Sequence, residues 1–286
     1  MMAVTALSAC SGASILVPHG PIAADNRAIL FNSLAVMLAI VVPTMLATLG
    51  CAWWFRAGNK RARYQPDFVY SGRIELIVWS IPVLVILFLG GIIWIGSHQL
   101  DPRRPIAGHG PPLEIQVVSL DWKWLFIYPD QELASVNELM IPVGHPVHFS
   151  ITSASVMNVF FVPQLGSMIY AMHGMKTDLH LRADYPGIYH GQSAHFSGDG
   201  FSDMNFALRA VSEQQFTAWA TQAQQASPRF DGTALVSLMK PSLRVPAQDY
   251  RAVPPQLFRI LMTQTPQSGN ARLSGGRALP RTAEGS

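Results

Sequence analysis

Residues 113–129 read LEIQVVSLDWKWLFIYP. Val, Ile and Phe crowd a short run with partial period-two alternation, the pattern of a strand that buries one face. The same texture returns downstream in ASVNELMIPV (134–143), PVHFSITS (146–153), VMNVFFVP (156–163), TDLHLRADY (177–185), GIYHGQS (187–193) and MNFALRAV (204–211). Pro-Asp, Gly-His-Pro and Gly-Asp-Gly separate the runs at the spacing of an all-β sandwich or barrel, which sets one domain at 113–211.

Upstream the texture is different. Ala28–Phe55 carries no charge and Ile74–Gly96 carries only Glu75. Each exceeds the roughly 20 residues that a helix needs to cross the hydrocarbon core. Trp53, Trp54, Trp79 and Trp94 lie towards the ends of these runs, where interfacial anchors belong. A transmembrane hairpin is therefore expected over 28–97, with spans at about 28–55 and 74–96. The loop 56–73 holds Arg56, Lys60, Arg61, Arg63 and Arg73 against Asp67, so the positive-inside rule makes it cytoplasmic. Both termini, and everything after Gly96, then face outward, which is the periplasm of a Gram-negative bacterium.

Composition agrees: 49% of residues are apolar and 13% charged, about half the charge of an aqueous protein. The net charge of +3 has much of its basic content in the hairpin loop, so it marks a membrane partner and not nucleic acid. The two cysteines are Cys10 and Cys51, so the outer domain can build no disulfide framework and no thiolate cluster.

The segment 1–27 is signal-like. Leu7-Ser8-Ala9-Cys10 resembles a bacterial lipoprotein processing site, and cleavage there would leave a lipidated Cys10 on the outer face. The residues before Cys10 include no basic one, so an ordinary cysteine is the alternative. Beyond the strands, Ser212 and Gln215 form a capping pattern that opens a helix, and 212–262 is expected to be helical. The Gly-, Ser- and Arg-rich residues 263–286 are expected to be a disordered tail.

Taken in order, a two-span hairpin followed by a β domain with Asp121-Trp122-Lys123-Trp124 and a Gly-Gln loop resembles subunit II of the haem–copper respiratory oxidases. DWKWLFIYP, SVNELMIPV, SVMNVFFVPQLGSMIYAMHGMKT and HGQSAHFSGDGFSDMNF look specifically like its quinol-oxidising branch, the bo3-type ubiquinol oxidases. The resemblance implies a membrane protein of α+β class: a two-helix hairpin, an extracytoplasmic cupredoxin-like β-sandwich or barrel, and a short C-terminal helical segment.

In the cytochrome c-oxidising branch, a dinuclear copper centre (CuA) is held by a Cys-x-Glu-x-Cys-x3-His-x2-Met loop and an upstream His. On that pattern this chain has Ser193 and Ser197 at the thiolates, His195 at the Glu, Phe201 at the His, Met204 at the Met and Asn158 at the upstream His. Hydroxyls cannot replace the soft bridging thiolates of a copper pair, so these positions are not expected to bind metal. A different set from His145, His148, His173, His180, His190 and His195 has little support in spacing, since His145 and His148 on one strand would face opposite ways.

The resemblance further implies no cofactor in this subunit, haems and CuB in a partner subunit I, and ubiquinol as the substrate of the complex. Implied partners are oxidase subunits I, III and IV and the lipid bilayer, with no cytochrome c docking; the location is the bacterial inner membrane. The complex would couple ubiquinol oxidation to O2 reduction and proton translocation, this chain supplying no catalytic residue. The alternative is a membrane-tethered cupredoxin-like binding or assembly module without oxidase activity.

Glu75 is the one charged residue in the spans, and the resemblance places it at the mouth of a proton-uptake channel; a solvated helix-start carboxylate is the plainer reading. Trp122 and Trp124 are expected to pack against subunit I, the Met168, Met172 and Met175 cluster to give adaptable apolar packing, and Pro43 and Pro82 to bear on helix packing.

Overall fold

A computed structural model describes residues 15–63 and 65–264. Cys10 and all but the first two residues of the 263–286 tail lie outside the described residues.

Two helices come first, α1 (Pro21–Trp54) and α2 (Gly72–Gln99). Both pass the length and apolarity of a membrane span, and neither buries any of its most apolar stretch within the chain. They run through Pro43 and Pro82 without ending. Helix α1 starts earlier than the apolar run because Pro21 suits the first helical turn, where its missing N–H costs nothing. Its 34 residues reach about 51 Å, well beyond a hydrocarbon core of about 30 Å.

The surplus first turns dock on the β domain. The His19 N–H donates to the Gln164 carbonyl at 2.8 Å, the Asp184 N–H to the His19 carbonyl at 2.8 Å, and Asn26 Nδ2 to Ser167 Oγ at 3.1 Å. Gly20 lies so close to the Arg182 carbonyl that any Cβ there would overlap it. Near the same end, Gly96 of α2 lies against Ile29 of α1, as an antiparallel hairpin requires.

The strands are β1 (Leu113–Leu120), β2 (Lys123–Tyr128), β3 (Leu133–Val136), β4 (Glu138–Pro142), β5 (Val147–Ser153), β6 (Asn158–Phe161), β7 (Ile169–Ala171), β8 (Thr177–Leu181), β9 (Gly187–Ser193), β10 (Asn205–Val211) and β11 (Gln248–Arg251). The opening run is thus two strands, parted where Trp122 takes φ 62°. ASVNELMIPV is likewise split at Asn137, φ 55°, because β3 and β4 belong to different sheets. One sheet has the order β11-β3-β2-β1-β5-β8, the other β4-β10-β9-β6-β7. Between them Trp124, Phe126, Phe149, Phe160 and Phe206 fill the core. The Tyr128 hydroxyl spans the sheets, donating to the Met140 carbonyl at 3.0 Å and accepting from the Met140 N–H at 2.8 Å.

The C-terminal segment holds a helix after Ser212 and two shorter helices, around 232–239 and 255–262, as the sequence suggests, and adds a strand it does not show. Helices α3 (Glu213–Ala226), α4 (Gly232–Met239) and α5 (Leu257–Thr263) alternate with strand β11, which pairs antiparallel with β3. The capping box of α3 is made in both directions, Gln215 N–H to Ser212 Oγ and Ser212 N–H to Gln215 Oε1. A second apolar cluster sets Phe230, Leu238, Leu257, Phe258 and Leu261 against Val118, Leu125, Ile127 and Val136. The six-stranded sheet is therefore covered on both faces, which is why every residue of β2 is buried.

Candidate functional site

Strands β6 and β9 pair with Phe160 opposite Ser193 and so bring Asn158 next to Ser193. Ser193 Oγ donates to Asn158 Oδ1 at 3.0 Å, and Asn158 Nδ2 donates to Ser119 Oγ at 2.7 Å. All three side chains are buried, so each group satisfies the next in place of water. Asn158 spends a further N–H on the Val156 carbonyl at 3.3 Å.

The rest of the loop closes over this pair. Met204 is buried and its thioether faces Ser197 Oγ at 3.9 Å, while the Ser193 N–H donates to the Met204 carbonyl at 3.1 Å. Phe201 stacks edge-on with Phe196, and His195 lies edge-on to Tyr170. Asn158, Ser193, Ser197 and Met204 thus keep their hydrogen-bonded neighbourhood, but the donor set does not fit dinuclear copper. Amide, hydroxyl and phenyl groups stand where two thiolates and two imidazoles are required.

The loop is held from below by DWKW. Trp122 Nε1 donates to the Ser197 carbonyl at 3.1 Å and its indole covers Gly198, at φ 111°, and Gly200, where a Cβ would overlap the ring. Lys123 is buried, and its ammonium donates to the carbonyls of Asp121 (3.1 Å) and Lys240 (2.9 Å) and to Ser242 Oγ (2.7 Å). Burial brings its pKa down to about 8, against the opposing pull of Asp121. Trp124 corrects the expectation of a partner contact: it is wholly buried in this chain's own core, edge-on to Phe160 and Phe206. Met168 and Met175, in contrast, are more than half exposed.

The histidines are spread out. His148 and His180 are cross-strand partners and stack at 4.6 Å, with His148 Nδ1 2.7 Å from Glu114 Oε2 and Nε2 3.1 Å from Asp178 Oδ1. His145 precedes β5 and lies 3.7 Å from Glu213, and His173 Nδ1 is 3.2 Å from the Ser153 carbonyl. Among the described residues no three His, Cys, Asp or Glu side chains converge as a metal set. The Glu114–His148–Asp178 group escaped the sequence because it needs the parallel β1–β5 and antiparallel β5–β8 registers together. Lys123 and Ser119 left a fainter signal, polar residues inside otherwise apolar runs.

Glu75 occupies the first turn of α2, and Trp79 Nε1 donates to its Oε2 at 3.1 Å. It is exposed within this chain.

Residues 130–211 match the family described as cytochrome c oxidase subunit II, periplasmic domain. The chain is 46% identical over 255 residues to the cytochrome bo(3) ubiquinol oxidase subunit 2 of Pseudomonas aeruginosa, covering 89% of this chain and 77% of that one. To the ubiquinol oxidase subunit 2 of Acetobacter aceti it is 45% identical over 252 residues, covering 87% and 82%. The solved periplasmic domain of cytochrome oxidase subunit II from Bradyrhizobium japonicum aligns at a TM-score of 0.39 and 25% identity, covering 42% of this chain and 96% of that one.

Proposed function

The chain belongs to the subunit 2 family of the ubiquinol oxidases, and from that premise we propose a subunit II that carries structure and no redox centre of its own. The observation that supports this best is the buried Ser119–Asn158–Ser193 chain of neutral hydrogen bonds, in which Ser193 and Asn158 are the residues matched above to a thiolate and an imidazole of the copper pattern. Electrons then reach the complex from ubiquinol within the bilayer. The haems and CuB belong to subunit I, and subunits III and IV complete the assembly. The hairpin loop faces the cytoplasm and the β domain the periplasm of the inner membrane.

Docking on subunit I has two candidate surfaces. One is the uncovered apolar length of α1 and α2. The other lies on β7 and the loops beside it, where Val156, Met168, Tyr170, Met175 and Phe196 expose large apolar side chains. Cys10 is proposed as the lipid anchor.

The purified complex tests the reading. Ubiquinol turnover with haem, no dinuclear-copper spectrum and no cytochrome c oxidation is the expected result. Copper bound to this chain, or recovery of the chain without haem, contradicts it. Glu75 is proposed as the proton entrance: Glu75→Gln is expected to lower turnover several-fold with ubiquinol KM unchanged, and unaltered turnover and proton uptake would remove that role.

A further inference from the structure

The loop between the two helices folds into a cleft of about 810 Å³, within the range of small-ligand sites. Its walls are of two kinds. Cys51, Phe55, Phe68 and Ile74 give an apolar side continuous with the ends of α1 and α2, while Arg56 and Arg63 line the same cleft. Among the described residues of the loop, Asn59 ties the chain back to the helix. Asn59 Nδ2 donates to the Trp54 carbonyl at 2.6 Å, closing the end of α1, and its Oδ1 accepts from the Arg61 N–H at 3.1 Å. The Arg56 guanidinium carbon stands over the Trp53 ring at 5.2 Å, which sets that charge at the level of an interfacial indole. Among the described residues, Arg56, Lys60, Arg61, Arg63 and Arg73 take part in no ion pair.

A cleft lined by apolar side chains from the helix ends and by two arginines that make no ion pair among the described residues is complementary to an amphiphilic anion. We propose that it binds an anionic phospholipid of the cytoplasmic leaflet, the phosphate held by Arg56 and Arg63 and the upper acyl chain lying along Phe55, Phe68 and Ile74. The leaflet, though not the chemistry, rests on the orientation proposed above. Arginine suits the task because its planar fork can take two phosphate oxygens at once.

The test uses the purified, delipidated complex titrated with phosphatidylglycerol or phosphatidylcholine and read by native mass spectrometry. Wild type is expected to retain phosphatidylglycerol and not phosphatidylcholine. Arg56→Gln with Arg63→Gln is expected to bind it roughly 30-fold more weakly, from about a tenfold step per 1.4 kcal/mol and about 1 kcal/mol per basic residue at the surface. The double Lys variant, which keeps the charge and the fold, is expected to hold most of the affinity. Phosphatidylglycerol is further expected to slow maleimide labelling of Cys51, an exposed thiol in the cleft wall. Equal binding by wild type and the Gln variant, or Cys51 labelling indifferent to phosphatidylglycerol, overturns the site. Displacement by millimolar inorganic phosphate overturns the lipid assignment in favour of a soluble anion. A Lys60→Cys reporter labelled by impermeant maleimide from the periplasmic side would overturn the orientation, and with it the leaflet, whatever the lipid titration returned.

Discussion

Asn158 is the centre of the buried hydrogen-bonded chain in the β domain. A buried amide that accepts from Ser193 and donates to Ser119 is stable only while both partners are present. Asn158→Ala orphans the buried Ser119 hydroxyl and leaves Ser193 only its 3.4 Å contact to the His195 carbonyl, and is expected to cost about 2 kcal/mol, measured as lost resistance of the complex to urea. Lys123 is the second such residue. Because burial holds its pKa near 8, below the usual 10.5, the unfolded chain binds the extra proton between those values. The Lys123 contribution to stability therefore rises with pH across that window. Unfolding of wild type and Lys123→Met at stepped pH should show the difference between them growing in favour of wild type; parallel curves would refute it. That the 191–204 loop has no thiolate was legible from residue type alone. The Lys123 partners were not, since Lys240 and Ser242 lie more than a hundred residues away in the chain.

At the level of elements, strand identity was readable wherever apolar residues ran at period two, and it blurred at the turns. Trp122 takes a positive φ that its residue type does not announce, and Asn137, of a type that tolerates it, takes one too, so two apparent runs became four strands. The short β11 was invisible because QDYR has no alternation of its own; it is a strand only by pairing with β3. The same dependence on register creates the β1–β5–β8 carboxylate and imidazole group. Burial works to raise the Asp178 pKa, but hydrogen bonds from Lys176 and His148 outweigh it and hold the carboxylate below its usual 3.8. A depressed carboxylate contributes stability above 3.8 and loses it as pH falls through the folded-state value. Acid unfolding of wild type is expected to show that loss, and Asp178→Asn to show less of it while being less stable at neutral pH.

For the whole molecule, the C-terminal segment is the part whose role depends most on tertiary structure. It covers the outer face of the six-stranded sheet, so a chain ending at Val211 would expose Val118, Leu125, Ile127 and Val136 together. Such a chain is expected to be degraded or to fail to assemble, read as loss of haem and of this subunit from purified membranes. Normal assembly would show that the strap is dispensable. The sequence by itself determined the two long apolar helices, the β class of the domain that follows them and the lack of any cysteine in that domain. Those follow from composition, period and residue chemistry, which are local. Only the tertiary structure decided that Trp124 belongs to this chain's core, that α1 begins on the β domain, that Ser119, Asn158 and Ser193 hydrogen-bond in a buried chain, and that the hairpin loop folds into a cleft. Each of these depends on which distant backbones pair and how closely they approach, and sheet register and chain reversal are settled by packing over the whole fold.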